Sequence, residues 1–246
     1  MTGEEFHLCI DIGNTRFKMA VFMAGNEVYQ SACNEIELEI KLKEIFHLFP
    51  IGRMAVSSTR KSIPESIRNF GKELKLYIEL DHLTSLPISI AYLTPQTLGR
   101  DRIAGAVAAQ FLYPDEGKII VDAGTCITYD FVDSNGCFLG GNISPGIQMR
   151  IRAMNSHTAN LPLVEMEIPE DILGKNTTQA LQNGSIRGTF YEIESFISQL
   201  EKKYGDSRVI LTGGDAFYFV DYFKSKIFVV QNLIPIGLNQ ILKHNA

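Results

Sequence analysis

A chain of 246 residues allows one large domain or two halves of ordinary size, and 45% hydrophobic against 21% charged residues gives ample material for a core. That balance excludes intrinsic disorder, collagen and coiled coil, and no run approaches the ~18 consecutive apolar residues of a membrane helix. With 23 basic and 28 acidic side chains the net charge is −5. Such a surface repels nucleic-acid backbones at long range and leaves room only for a local basic pocket that takes a small anion.

In chain order, the acidic stretch Met1 to His7 lacks the basic start of a secretory signal. Leu8 to Thr15 is an apolar strand that runs into Asp11 and a turn. Arg16 to Phe22 continues as a second strand, Gly25-Asn26 signals a turn, and Glu27 to Ser31 makes a third. Leu38, Leu42, Ile45, Phe46 and Phe49 fall on one helical face, although Ile36, Leu38, Ile40 and Leu42 also alternate as a strand would. Arg53 to Ser57 reads as a strand. Ile103 to Phe111 reads as an Ala-rich helix with Gly105, suited to close packing at a seam between halves. The opening grammar then returns: Ile119 to Val121 leads into Asp122-Ala123-Gly124-Thr125, Ile127 to Val132 follows, and Asp133 to Gly136 turns into Cys137 to Gly140. Asp122 follows Asp11 by 111 residues, so the chain repeats a whole half-domain. Thr189 to Tyr204 is a long amphipathic helix, and Arg208 to Leu211 a strand ending in Thr212-Gly213-Gly214-Asp215-Ala216. Ile227 to Val230 precedes Pro235 and a closing helix. The class is α/β, with two similar halves over 1–116 and 117–246 and a boundary near Pro114 to Gly117.

Cys9, Cys33, Cys126 and Cys137 form no CxxC pair, and His7, His47, His82, His157 and His244 form no metal-ligand spacing. The expectation is a reduced, cytoplasmic protein without structural zinc. Arg150 and Arg152 read as flanking a helix that begins near Pro145, His157 as a solvated side chain in a polar loop, and Phe217, Tyr218, Phe219, Tyr222 and Phe223 as core packing.

Three loops carry candidate chemistry. In Asp11-Ile12-Gly13-Asn14-Thr15, glycine permits a sharp turn whose amides can converge on an anion. Asp11 can hold hydrated Mg2+, and Lys18 can reach the same oxygens. The plain alternative is a hairpin turn in which Asp11 accepts turn N–H groups. Asp122-x-Gly124-Thr125 is a second copy, and Thr212-Gly213-Gly214 leaves room for a flat adenine or ribose against the backbone. Between the two copies, Gly99-Arg100-Asp101-Arg102 opens the Ala-rich helix. Asp101 can cap that helix, or it can act as a general base beside an anion clamp.

In this order the three loops resemble the phosphate-1, phosphate-2 and adenosine motifs of the acetate and sugar kinase/Hsc70/actin superfamily. The resemblance narrows to the type III pantothenate kinases through Asp11 to Thr15 with Lys18, Gly99 to Arg102, and Asp122 to Thr128. Gly140-Gly141-x-Ile143-x-Pro145-Gly146, Gly174 to Thr177 and Thr212 to Gly214 match it too. Arg100 fills a variable position, and Cys126 stands where the family often has Ala. The resemblance implies two ribonuclease H-like halves with the active site in the cleft between them. It further implies an ATP-dependent phosphorylation of pantothenate to 4′-phosphopantothenate, the first step of coenzyme A synthesis. By the same resemblance Asp11, Ile12, Gly13, Asn14, Thr15, Arg16, Phe17 and Lys18 cradle the ATP phosphates with Mg2+ near Asp11. Thr125, Gly213 and Gly214 complete the nucleotide contacts. Asp101 is the proton acceptor; Tyr92 and Gly99, Arg100, Asp101 and Arg102 hold pantothenate, with Arg102 on its carboxylate. Thr177 reaches the substrate from the second subunit of a homodimer, and Asp122 ligates K+ or NH4+. ATP, pantothenate and a second copy are then the partners, with neither nucleic acid nor membrane. Two rivals stand beside this: a kinase of the same superfamily acting on another small alcohol or carboxylate, and a non-catalytic regulator related to the Bvg accessory factors. Asp11, Asp101, Arg102 and Asp122 together favour an enzyme, since a regulator needs no positioned base.

Overall fold

The structure is a computed structural model that describes residues 5–220, 222–223 and 227–246. Most of the acidic N-terminal reading (residues 1–4) lies outside the described residues. The chain divides into two compact units: one holds the residues up to Pro114 with Gly136–Phe138 and Asn232–Ala246, the other Asp115–Asn135 and Leu139–Gln231.

The first unit is built on β1 (Phe6–Ile12), β2 (Phe17–Met23), β3 (Asn26–Cys33), β4 (Ile51–Ser58) and β5 (Leu76–Glu79), in the sheet order β3-β2-β1-β4-β5. β1 to β3 form an antiparallel meander, and β4 and β5 add in parallel. Met23 pairs with Asn26, so the tight turn is Ala24-Gly25, one residue earlier than the sequence signal. Both turn residues have positive φ (51° and 91°), the backbone that matches strand twist in a two-residue hairpin. Helix α1 (Leu38–Leu48) buries Leu38, Leu42 and Ile45, while Ile36 and Ile40 are exposed at 90% and 72%, so the helical period wins over the alternation. The short α2 (Glu65–Gly71) and β5 carry too few residues for a sequence period to emerge.

Helix α3 (Arg100–Leu112) and α7 (Leu233–His244) pack on each other, and α7 also lies on β1 and β4. Every residue of α3 from Arg102 to Ala109 is buried, which only small side chains permit at such close approach. A Cβ on Gly237 would stand 1.8 Å from the Ala104 carbonyl oxygen. The small residues expected at a seam between halves thus serve a helix pair inside the first unit.

The second unit repeats the plan with β7 (Gly117–Ala123), β8 (Cys126–Val132), β9 (Cys137–Pro145), β10 (Ser207–Thr212) and β11 (Ile227–Val229), in the order β11-β10-β7-β8-β9. The two-residue β6 (Ser89–Ile90) pairs in parallel with Cys137 and Phe138 at the start of β9. Each sheet is a three-strand meander followed by two parallel strands, as expected for duplicated ribonuclease H-like halves. Helices α4 (Ile147–His157), α5 (Thr177–Tyr204) and α6 (Phe217–Val220) complete the unit. Arg150 and Arg152 sit within α4, and His157 is its exposed last residue rather than part of a loop. Helix α5 begins at Thr177, twelve residues before the apolar stripe suggested: Asn176 accepts from the Gln179 amide while Gln179 accepts from the Lys175 amide, a reciprocal cap that starts it early. Phe219 is fully buried, and Tyr218, Tyr222 and Phe223 pack against the same core. Phe217 is 79% exposed, because a single helical turn cannot face all its side chains inward. No helix among the described residues is long and apolar enough to cross a membrane.

Two glycines separate packing from propensity. Gly237→Ala must push α3 from α7 and should cost about 1–3 kcal/mol. At Gly184, exposed on α5 with nothing near its missing Cβ, Ala should add up to about 1 kcal/mol. Urea unfolding of the two variants should move in opposite directions; equal shifts would contradict the packing described.

Candidate active site

Where β1 gives way to β2, the Gly13 amide donates to the Arg16 carbonyl (3.1 Å), closing a turn in which Asn14, Thr15 and Arg16 are exposed. Ile12 and Phe17 are fully buried, so these two can offer only backbone to a ligand. Arg60, just past β4, braces the turn from behind. Its Nε donates to the Gly13 carbonyl and a terminal nitrogen to the Asn14 carbonyl, each at 3.0 Å, with its guanidinium 4.7 Å from the Phe17 ring and ion-paired to Glu35. In a trans peptide the carbonyl and the following N–H point opposite ways, so tying back those carbonyls turns the Asn14 and Thr15 amides away from Arg60. Sequence reasoning missed Arg60. The available signal was a polar Ser57-Ser58-Thr59-Arg60 run ending the strand that pairs with β1.

Asp11 lies across from Lys18 in β2 and Ser57 in β4, and Ser57 Oγ donates to its carboxylate at 2.7 Å. Burial and the charge of Asp101 push the Asp11 pKa up to about 6, against the pull of Ser57 and Lys18. Asp101 stands in the first turn of α3, where its Oδ1 accepts the Arg102 amide at 2.8 Å and burial raises its pKa as well. A side chain on Gly99 would strike that carboxylate, since its Cβ would lie 2.5 Å from Asp101 Oδ1. Arg102 is buried, with its guanidinium 5.8 Å from the Tyr92 ring and 5.7 Å from the Phe138 ring. The Arg100 guanidinium instead bonds back to the Leu98 and Gln96 carbonyls, bracing the turn ahead of α3. Thus Asp11, Lys18 and Asp101 come together, as do Tyr92 and Arg102, while the Arg100 guanidinium also braces the turn ahead of α3.

The second unit assembles Asp122, Thr125, Gly213 and Gly214 around the end of β7. Gly124 donates to the Cys126 carbonyl and Gly146 to the Thr125 carbonyl, each at 3.0 Å, and Asp215 donates to the Ala123 carbonyl at 2.9 Å. Gly213 has φ +98°, and a Cβ there would lie 2.1 Å from the Ala123 oxygen and 2.5 Å from Asp122 Oδ1. A Cβ on Gly146 would lie 2.0 Å from the Gly124 oxygen. Glycine at both positions lets three chain segments meet at backbone distance and leaves Thr125 and Gly214 exposed. Thr177 stands at the exposed start of α5.

With this geometry in hand, the profile of the type III pantothenate kinase family matches residues 7–199. The chain belongs to the type III pantothenate kinases. A type III pantothenate kinase of Phocaeicola vulgatus is 40% identical over 97% of the chain and 98% of the relative, and one of Flavobacterium johnsoniae is 36% identical over 96% and 97%. Among solved structures, a Campylobacter jejuni protein named for the Baf family of transcriptional activators superposes with TM-score 0.65 at 24% identity, covering 97% of this chain and 98% of that one. A Clostridium difficile activator of 2-hydroxyisocaproyl-CoA dehydratase with bound ADPNP gives 0.53 at 14%, covering 98% and 97%. These structural likenesses show the shared fold.

For a member of this kinase family, the electrostatics of the first unit are informative. Among the described residues no three His, Cys, Asp or Glu side chains gather as a metal cage. The Asp11 carboxylate, a hard oxygen donor, nevertheless suits a divalent cation that would arrive with phosphate oxygens and water as its other ligands. The same charge strains the ligand-free fold. Asp11 ionises near pH 4 when unfolded and near 6 when folded, so stability is full below the unfolded value and falls as pH rises through about 6. Asp11→Asn, which keeps the shape and can still accept from Ser57, should stabilise the ligand-free protein by roughly 1–3 kcal/mol at pH 7.5 and by little at pH 4. Thermal unfolding at the two pH values checks this; a variant less stable at pH 7.5 would contradict it.

Proposed function

We propose that the chain transfers the γ-phosphoryl group of ATP to the primary hydroxyl of pantothenate, forming 4′-phosphopantothenate and ADP and opening coenzyme A synthesis in the cytoplasm. The observation that carries this reading is Asp101-Arg102 at the head of α3, with Asp11 within electrostatic reach, in a chain of this family. In the first unit, the amides of Asn14, Thr15 and Arg16 and the Lys18 ammonium bind phosphate oxygens, while the Gly13 amide closes the turn on the Arg16 carbonyl. Asp11 would hold Mg2+ through water, and the ion would neutralise charge on the phosphates. Asp101 takes the hydroxyl proton as the new O–P bond forms. Burial raises its basicity, and the Arg102 amide holds one carboxylate oxygen in place. Arg102, flanked by the Tyr92 and Phe138 rings, pairs with the pantothenate carboxylate through its planar fork.

In the second unit, Thr125 donates to a phosphate and the Gly213-Gly214 turn accommodates the adenosine. Asp122 with nearby carbonyl oxygens such as that of Ala123 forms a hard-oxygen set suited to K+ or NH4+. Thr177, exposed at the start of α5, reaches the substrate of the other subunit in a homodimer. Phosphoryl transfer has a loose transition state, so positioning and charge matter more than early proton removal, and an aspartate suffices as base.

The test is ³¹P NMR of product formed from MgATP and pantothenate in potassium, ammonium and sodium buffers. We expect 4′-phosphopantothenate in the first two and little in sodium, and a kcat lowered roughly 10²–10⁴-fold in Asp101→Asn with unchanged circular dichroism. Absence of product in every buffer would reject the substrate, and near-wild-type kcat in the variant would reject the base.

A further inference from the structure

We propose that Arg150 and Glu192, which the nucleotide loops do not include, are positioning residues for Thr125. The inference rests on reading Thr125 as a phosphate-binding residue. Thr125 sits on a floor made by Pro145-Gly146: the Gly146 amide donates to the Thr125 carbonyl at 3.0 Å, and the Gly146 α-carbon packs directly on the Gly124 carbonyl. Strand β9 ends at Pro145, so at Gly146 the floor leaves the sheet. Pro145 has no N–H, and Gly146, the residue before α4, has no side chain with which to cap it.

Arg150 supplies the missing restraint from one turn into α4. Its amide donates to the Gly146 carbonyl at 3.0 Å, its Nε to the Pro145 carbonyl at 2.8 Å, and a terminal nitrogen to both Ser144 Oγ (3.3 Å) and Glu192. Glu192, on α5, fixes the guanidinium and also accepts from the Tyr129 hydroxyl of β8 at 2.8 Å. The guanidinium therefore bonds two consecutive residues at the end of β9, Ser144 and Pro145, while the Arg150 amide takes the Gly146 carbonyl as an ordinary helix bond, and Glu192 on α5 holds the guanidinium in turn.

A purely structural tie between α4 and α5 would not require this set. An ion pair with side chains 21% and 25% exposed contributes little net stability, and an apolar pair would join two helices as well. What directional bonds add is placement, here of the turn on which the Thr125 carbonyl rests. Lysine separates the two roles, because it keeps a charge for Glu192 but cannot bond the Pro145 carbonyl and Glu192 in one rigid plane.

Calorimetric binding of MgATP without pantothenate, on wild type, Arg150→Lys and Glu192→Gln, tests this. The expected result is affinity about 10-fold weaker in Arg150→Lys, with its melting temperature and its pantothenate KM near wild type, and a smaller loss in Glu192→Gln. Wild-type MgATP affinity in both variants would overturn the proposal while leaving the nucleotide reading intact. A wild-type protein that does not bind MgATP would overturn the nucleotide reading, and this proposal with it.

Discussion

Asp11 and Asp101 are brought within reach of each other by β1 and α3, and much of the first unit is arranged around holding those two charges. Burial and like-charge repulsion raise the proton affinity of Asp11, so its ionised form is a cost that the fold carries when empty. The surroundings soften that cost in small ways. Ser57 donates to Asp11, Lys18 lies across the strand pair, and Arg102 offers its amide to Asp101. At Asp11, Ser57 and Lys18 together do not outweigh burial and the charge of Asp101, and at Asp101 the Arg102 charge and amide only partly offset burial. In the proposed function this raised proton affinity is what a polyphosphate with its own cation would meet at Asp11.

The second unit works by close approach instead. At the end of β7, three segments meet at backbone distance because Gly146 and Gly213 carry no side chain, and the orphan amides of these turns are satisfied by the carbonyls of Ala123 and Thr125. A small loop held so tightly can present Thr125 and a bare glycine face with little conformational freedom left to lose on binding. The duplicated sheet order explains why both units end β1 and β7 in a carboxylate and a glycine turn. The differences explain the division of labour: Asp11 has Ser57 beside it and Asp101 near it, whereas Asp122 has the Gly213 turn.

Much of this was legible from residue order. The apolar runs ending in Asp11 and Asp122 located the repeated meander, and the one-face pattern of Leu38, Leu42 and Ile45 located α1. What escaped has physical causes. Helix α5 was truncated because Gly184 and Gly188 interrupt its apolar stripe, although the Asn176–Gln179 cap marks its start. Phe217 was read with its aromatic neighbours, yet one helical turn cannot bury them all. Arg60 was invisible because its bonds reach 46–47 residues along the chain, to carbonyls that every residue type carries. Backbone acceptors leave no trace in composition, so the residues that brace loops are harder to read than those that line them. Arg100, read from its place in the Gly99 to Arg102 run, also bonds the Leu98 and Gln96 carbonyls, a contact no sequence pattern shows.

In the proposed function MgATP relieves the charge held at Asp11, and the proton balance of binding measures that relief most directly. Asp11 of the ligand-free protein is partly protonated near pH 6, so MgATP binding measured there in buffers of different ionisation enthalpy should release a fraction of a proton, and clearly less in Asp11→Asn. Equal proton release from wild type and variant would contradict the account.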